Sequence, residues 1–203
     1  MIVNPLIMNL KILLIYLTFF GCKPEKPFVK KEYFKQNLEA ESFCKTNKMN
    51  IDYYILIDLS IHSGRNRFFI YNFKTKKNDF EKLVTHGSCD VFNENETKWE
   101  KAKFSNKVDS HCSSIGKYSI GEKSYSKWGI NIKYWLNGLD KTNSKAVERI
   151  TVLHSWEAVS DKEVYPTYSP LSWGCPAVSN EFMTILDAKL QASTKPVLLW
   201  IVE

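Results

Sequence analysis

Tyr53-Tyr54-Ile55-Leu56-Ile57-Asp58-Leu59 is an aromatic and β-branched run without Gly or Pro, and Arg67-Phe68-Phe69-Ile70-Tyr71-Asn72-Phe73 has the same character. The polar His62-Ser63-Gly64-Arg65-Asn66 between them suits a turn, so the pair predicts a β-hairpin. Working outward, further strands are expected over residues 82–85, 128–136, 149–154 and 196–202. Two helices interrupt them. Residues 30–48 lack Gly and Pro, and Tyr33, Ala40, Phe43 and Cys44 fall near one side of a 3.6-residue wheel. Phe182, Ile185, Leu186 and Leu190 form a second helical stripe, with Ser179 or Asn180 as its cap. The expectation is a mainly β domain with a few helices, running from about residue 50 to the end.

Composition agrees with that reading. The 203 residues are 44% hydrophobic and 25% charged, which supports a core and excludes an intrinsically disordered chain. With 8 Gly and 7 Pro, collagenous and low-complexity readings fail, and 5 Cys are too few for a small disulfide-stapled scaffold. The net charge of +6 favours acidic partners. The lysines are scattered rather than blocked, so nucleic acid is not expected, and anionic cell-envelope polymers match the balance as well.

The N-terminus reads as an export signal. Lys11 gives a positive flank, and Ile12 to Phe20 is an apolar run shorter than the ~20 residues a membrane-spanning helix needs. Gly21-Cys22 follows and resembles a bacterial lipoprotein cleavage site, although Phe19 stands where such sites usually carry Leu. The expected organisation is a signal peptide over 1–21, a lipid-anchored linker and helix over 22–50 with lipid on Cys22, and a domain over 51–203. That places the mature chain on the periplasmic side of the cell envelope. A plain secretory signal or a buried apolar segment is the alternative.

For chemistry, the leading nucleophile is Cys175, in Leu171-Ser172-Trp173-Gly174-Cys175-Pro176-Ala177. Gly174 removes a side chain beside the sulfur, so a carbonyl can approach and backbone N–H groups can face a developing oxyanion. Pro176 stops any ladder from continuing. A thiol needs a base, and His154, at the end of Arg149-Ile150-Thr151-Val152-Leu153-His154, is the best candidate. The blander alternatives are an inert buried thiol and a structural histidine. His86-Gly87-Ser88-Cys89 and His111-Cys112 invite a zinc reading, but adjacent residues of an extended chain point to opposite faces, so no metal is expected. A Cys89–Cys112 disulfide suits an exported chain better, with two free thiols as the remaining option. His62 falls in the hairpin turn and is expected to be solvated. Among the aromatic residues Trp128, Tyr134, Trp135 and Trp173, only Trp173, beside the cysteine, is retained as a site residue.

These motifs resemble the L,D-transpeptidases that remodel bacterial peptidoglycan, whose signature is a His followed at a distance by Ser/Thr-X-Gly-Cys. His154 and Ser172-Trp173-Gly174-Cys175 carry it here. The ordered set Ile57-Asp58-Leu59-Ser60, Leu83-Val84-Thr85-His86-Gly87, Phe104-Ser105-Asn106, Ser113-Ser114-Ile115-Gly116-Lys117-Tyr118, Leu136-Asn137-Gly138-Leu139-Asp140 and Gly174-Cys175-Pro176-Ala177-Val178 is similar to the murein L,D-transpeptidase catalytic domain over most of 51–202. The resemblance implies a β-sandwich of mixed sheets, no cofactor, and peptidoglycan stem peptides as substrate. It makes Cys175 the nucleophile and His154 the base, with the Ser155 carbonyl orienting the imidazole. Ser172 and Gly174 then shape the cysteine loop, and His86 either lines the substrate groove or, with at least equal weight, has a structural role. It implies acyl transfer from a stem tetrapeptide, through a Cys175 thioester, to a neighbouring amine, giving a 3→3 cross-link. An L,D-carboxypeptidase or peptidase on the same substrate, and a non-catalytic peptidoglycan-binding lipoprotein, are the alternatives. Trp173 stands where many members have His, and Pro176 where many have a polar residue. A papain-like protease fits less well, because there Cys precedes His.

Overall fold

The computed structural model describes residues 31–89, 99 and 101–203. The expectations for the signal over 1–21 and for lipid on Cys22 lie outside the described residues. The chain divides into two units, Met1–Glu32 and Tyr33–Glu203, and all the secondary structure described belongs to the second.

In chain order the elements are α1 (Phe34–Thr46), β1 (Tyr53–Asp58), β2 (Phe68–Asn72), β3 (Lys77–Lys82), β4 (His86–Gly87), β5 (Gly116–Tyr125), β6 (Ile132–Gly138), β7 (Val152–Ser155), β8 (Leu171–Ser172), β9 (Ala177–Val178), α2 (Asn180–Gln191) and β10 (Leu198–Val202). Eight strands form one mixed sheet in the order β3-β2-β1-β10-β5-β6-β7-β9, and β4 pairs in parallel with β8 beside it. The sheet curls until its ends nearly meet: the Thr85 N–H, just beyond edge strand β3, donates to the Ala177 carbonyl of β9 at 2.9 Å. The mainly β, mixed architecture expected from the sequence therefore holds.

β1 explains why its sequence is a continuous apolar run rather than an alternating one. All six residues are buried. Tyr53, Ile55 and Ile57 face a core shared with Phe182, Met183 and Leu186 of α2, whereas Tyr54 and Leu56 face a second core capped by Ala40 and Cys44 of α1. A strand covered on both faces has no polar side to alternate with. α2 starts at its Ser179 N-cap, whose Oγ accepts the Phe182 N–H at 3.0 Å. Ile185, expected on the buried stripe, is exposed, and Met183 takes its place.

α1 packs on the sheet through Ala40 and Cys44, within the unit Tyr33–Glu203. Several other expectations are corrected. The strand expected over 82–85 lies earlier, as β3. Residues 128–131 precede β6, and Arg149 and Ile150 lie in a turn before β7, with Ile150 at φ 55°. β5, ten residues long, was not anticipated. His62 is not merely solvated, since its ring stacks on Tyr168 with centroids 4.9 Å apart.

Candidate active site

β7 is a short, wholly buried strand that carries His154. Its neighbours set the imidazole in place: His154 lies across from Lys133 of β6 and from Ala177 of β9, and its N–H donates to the Pro176 carbonyl at 3.3 Å. Nδ1 lies 2.9 Å from the carbonyl oxygen of Ser155. A carbonyl only accepts, so Nδ1 carries the hydrogen and Nε2 keeps its lone pair. The Ser155 side chain is locked as well, its Oγ accepting the Ile130 N–H at 3.0 Å. Burial pushes the imidazole below its ordinary value, the Ser155 hydrogen bond opposes that, and the nearby Lys133 charge adds to it.

The segment between β8 and β9 carries the thiol. Gly174 has φ +102°, and a Cβ there would come within 2.6 Å of the Cys112 carbonyl oxygen, so only glycine fits. The Gly174 N–H donates to Ser172 Oγ at 3.2 Å. It is therefore committed to the loop rather than to an oxyanion, leaving the Cys175 N–H as the remaining donor of the expected pair. Thr85 clamps the far side: its Oγ1 donates to the Cys175 carbonyl at 3.1 Å and accepts the Ala177 N–H at 2.9 Å.

Cys175 is a free thiol, and it shares one cleft of about 550 Å³ with His154. Sγ accepts the Val152 N–H at 3.4 Å and donates to the Ile150 carbonyl at 3.6 Å, rather than to the imidazole. Burial raises the thiol above its ordinary value, against the lowering influence of the Val152 N–H, Arg149 and Lys133. Thiol and imidazole are thus both biased toward their neutral forms. A thiolate–imidazolium pair is not the resting state this environment favours.

Behind the loop lies a brace that sequence reasoning only half anticipated. Cys89 and Cys112 are joined in a disulfide, the first of the sequence options. The adjacent His111 ring stacks on Trp173, centroids 5.2 Å apart. Gly87 lies so close that a Cβ would meet the His111 carbonyl at 2.2 Å. Arg149 was missed, although it opens the Arg149–His154 stretch. Its guanidinium donates to the Ser105 carbonyl at 2.9 Å, to Ser114 Oγ and to the Cys112 carbonyl, tying the disulfide segment to the floor of the cysteine loop. His86, read as either a groove residue or a structural one, is buried, with Nδ1 2.8 Å from Nη2 of the fully buried Arg67.

Tyr125, Trp128, Trp156, Trp173 and Ser172 line the cleft, and Lys127 and Lys133 bring positive charge. Trp173 is 75% exposed, an open face for a ligand. Among the described residues no group of three or more His, Cys, Asp or Glu could hold a metal ion.

A family model described as the L,D-transpeptidase catalytic domain matches residues 25–198. A search of curated proteins finds no match. Among solved structures, the helical cell shape determining protein Pgp2 of Campylobacter jejuni is 14% identical, covering 73% of this chain and 46% of its own, with a TM-score of 0.45. Bd1075 of Bdellovibrio bacteriovorus is 14% identical, covering 77% and 49%, with a TM-score of 0.47. An L,D-transpeptidase of Xylanimonas cellulosilytica is 10% identical, covering 73% and 59%, with a TM-score of 0.42. The chain spans about half the length of the first two.

Proposed function

The chain belongs to the L,D-transpeptidase catalytic domain family, and from that premise we propose that it is an exported, peptidoglycan-remodelling cysteine transpeptidase. The observation that carries the reading is the meeting of Cys175 and His154 in one cleft, with the imidazole held by Ser155 so that Nε2 is its basic nitrogen.

The reaction follows from those groups. As a stem tetrapeptide binds, the Cys175 thiol gives its proton to His154 Nε2, and sulfur attacks the carbonyl of the L-centred third residue. The Cys175 N–H receives the oxyanion. The tetrahedral intermediate collapses, the C–N bond breaks, and the imidazolium protonates the departing amine of D-Ala. A thioester remains. An amine of a neighbouring stem attacks it while His154 takes the proton, sulfur leaves, and a 3→3 cross-link results. Where water takes the amine's place, the same acyl-enzyme yields a tripeptide stem, the L,D-carboxypeptidase outcome. The neutral resting pair supports a thiol activated only as substrate arrives, which limits adventitious oxidation.

Export is supported by Lys11, the Ile12–Phe20 run and Gly21-Cys22, and separately by the Cys89–Cys112 disulfide, which suits an oxidising compartment. Lipid on Cys22 would tether the domain to a membrane on the periplasmic side. Palmitate labelling lost in Cys22→Ser tests the anchor.

The activity is tested with purified protein from residue 23 onward and disaccharide-tetrapeptide substrate. Formation of 3→3 dimers or tripeptide stems, abolished in Cys175→Ala, supports the reading. Unchanged products in that variant overturn it.

A further inference from the structure

Besides the thiol and the imidazole, the cleft holds two ammonium groups, and among the described residues no Asp or Glu lines it. Lys133 is half-buried on β6, directly across the ladder from His154. Lys127 is exposed between β5 and β6. Elsewhere lysines find carboxylates: Lys82 with Asp161 at 2.6 Å, Lys117 with Glu39 at 2.7 Å, and Lys123 with Asp187 at 2.7 Å. Among the described residues Lys133 has no ion pair, and its ammonium lies 5.2 Å from the centroid of the Trp135 ring. A partly desolvated cation without an anion is a cost to the folded chain, and one that a bound anion would offset.

The geometry points to Lys133 as the receptor for the free carboxylate of the residue that leaves, the C-terminal carboxylate of the donor stem peptide. The assignment rests on the peptidoglycan reading and deepens it by naming the part of the substrate that the cleft selects. Covalent geometry decides which carboxylate is meant. The leaving residue is joined through its own nitrogen to the attacked carbonyl, so its carboxylate lies within about one residue length, ~3.8 Å, of the reacting carbon. The other carboxylates of the stem belong to the acyl side. A carboxylate so near the attacked carbon falls beside the catalytic pair, and Lys133 influences both members of that pair. Trp128 and Trp156 wall the same cleft, their rings 5.9 Å apart. Pairing would also cancel the Lys133 charge that disfavours an imidazolium at His154, so the arriving substrate strengthens its own base.

The test measures binding without turnover. Cys175→Ala protein is titrated calorimetrically with a disaccharide-tetrapeptide bearing a free C-terminus and with its C-terminal carboxamide. The titrations are repeated with Lys133→Met, Lys133→Arg or Lys127→Met added, each variant confirmed folded by circular dichroism. The free acid is expected to bind about tenfold more tightly than the amide. That preference disappears with Lys133→Met and survives with Lys133→Arg and Lys127→Met. Equal affinity for acid and amide in the parent, or a preference undiminished by Lys133→Met, overturns the assignment while leaving the peptidoglycan reading intact. Binding of neither peptide overturns both.

Discussion

The imidazole of His154 is anchored by its own chain neighbour: Nδ1 donates to the carbonyl of Ser155 across 2.9 Å. Every substrate-side task therefore falls to Nε2. Since burial lowers the imidazole, its neutral, basic form persists to lower pH than an ordinary histidine's. The acidic limb of kcat/KM is expected below the ordinary value of 6.5. It should shift upward in Lys133→Met, which removes a charge that disfavours imidazolium. A pH–rate profile of both proteins checks this.

The thiol gives a complementary prediction. Burial raises Cys175 above its ordinary value of 9.0, so its thiolate is scarce at neutral pH. Iodoacetamide labelling of Cys175 in the absence of substrate should be slow at pH 7 and should accelerate steadily into the alkaline range. A rate already at its plateau near pH 6 would reveal a preformed ion pair.

Gly174→Ala should damage the site without touching either reacting group. A Cβ at φ +102° is strained by about 1–3 kcal/mol. It also forces the Cys112 carbonyl away from 2.6 Å. Thermal denaturation should show a loss of that order, and turnover should fall at least tenfold.

Arg149 and the disulfide brace the cysteine loop from behind. Arg149→Met leaves the Cys112 carbonyl without its donor, at about 1–3 kcal/mol, while the Ser105 carbonyl keeps the Ser114 hydroxyl at 2.8 Å. It also removes a charge that lowers the thiol, so alkaline labelling of Cys175 should need higher pH still. Arg149→Lys keeps the charge but not the fork, and should restore the labelling profile more fully than the stability. Cys89→Ala/Cys112→Ala opens a link between residues 23 apart, with an expected loss of about 3 kcal/mol.

Where the sequence was informative, a local pattern coincided with the tertiary role. The β1–β2 hairpin was legible because both strands are apolar on both faces, and α2 because its buried stripe follows helical spacing. β5 was not: Gly116-Lys117-Tyr118-Ser119-Ile120-Gly121 mixes glycines and polar residues, and the strand is held by pairing with β10 and β6 rather than by its own propensity. Ile150 looked like a strand residue but sits in a turn with φ 55°, which leaves the Ile150 carbonyl to accept from Cys175. Of the candidate site, the motif singles out Cys175, His154, Ser172 and Trp173, which line one cleft in the structure. Between the two readings of His86 the structure agrees with the structural one, which the sequence left open because the buried Arg67 beside it is remote in the chain. Lys133 and Arg149 were overlooked because a lysine or arginine in a basic chain gives no local sign of facing a cleft or a carbonyl cluster.

The central claim is that Cys175 carries the acyl group, and intact-mass analysis of the acid-quenched reaction tests it most directly. With disaccharide-tetrapeptide and no added acceptor amine, one adduct is expected, equal to the substrate less D-Ala plus the protein. Peptide mapping should place it on Cys175, and it should be absent from His154→Ala. An adduct on another residue, or release of D-Ala by Cys175→Ala protein at the wild-type rate, would contradict the account.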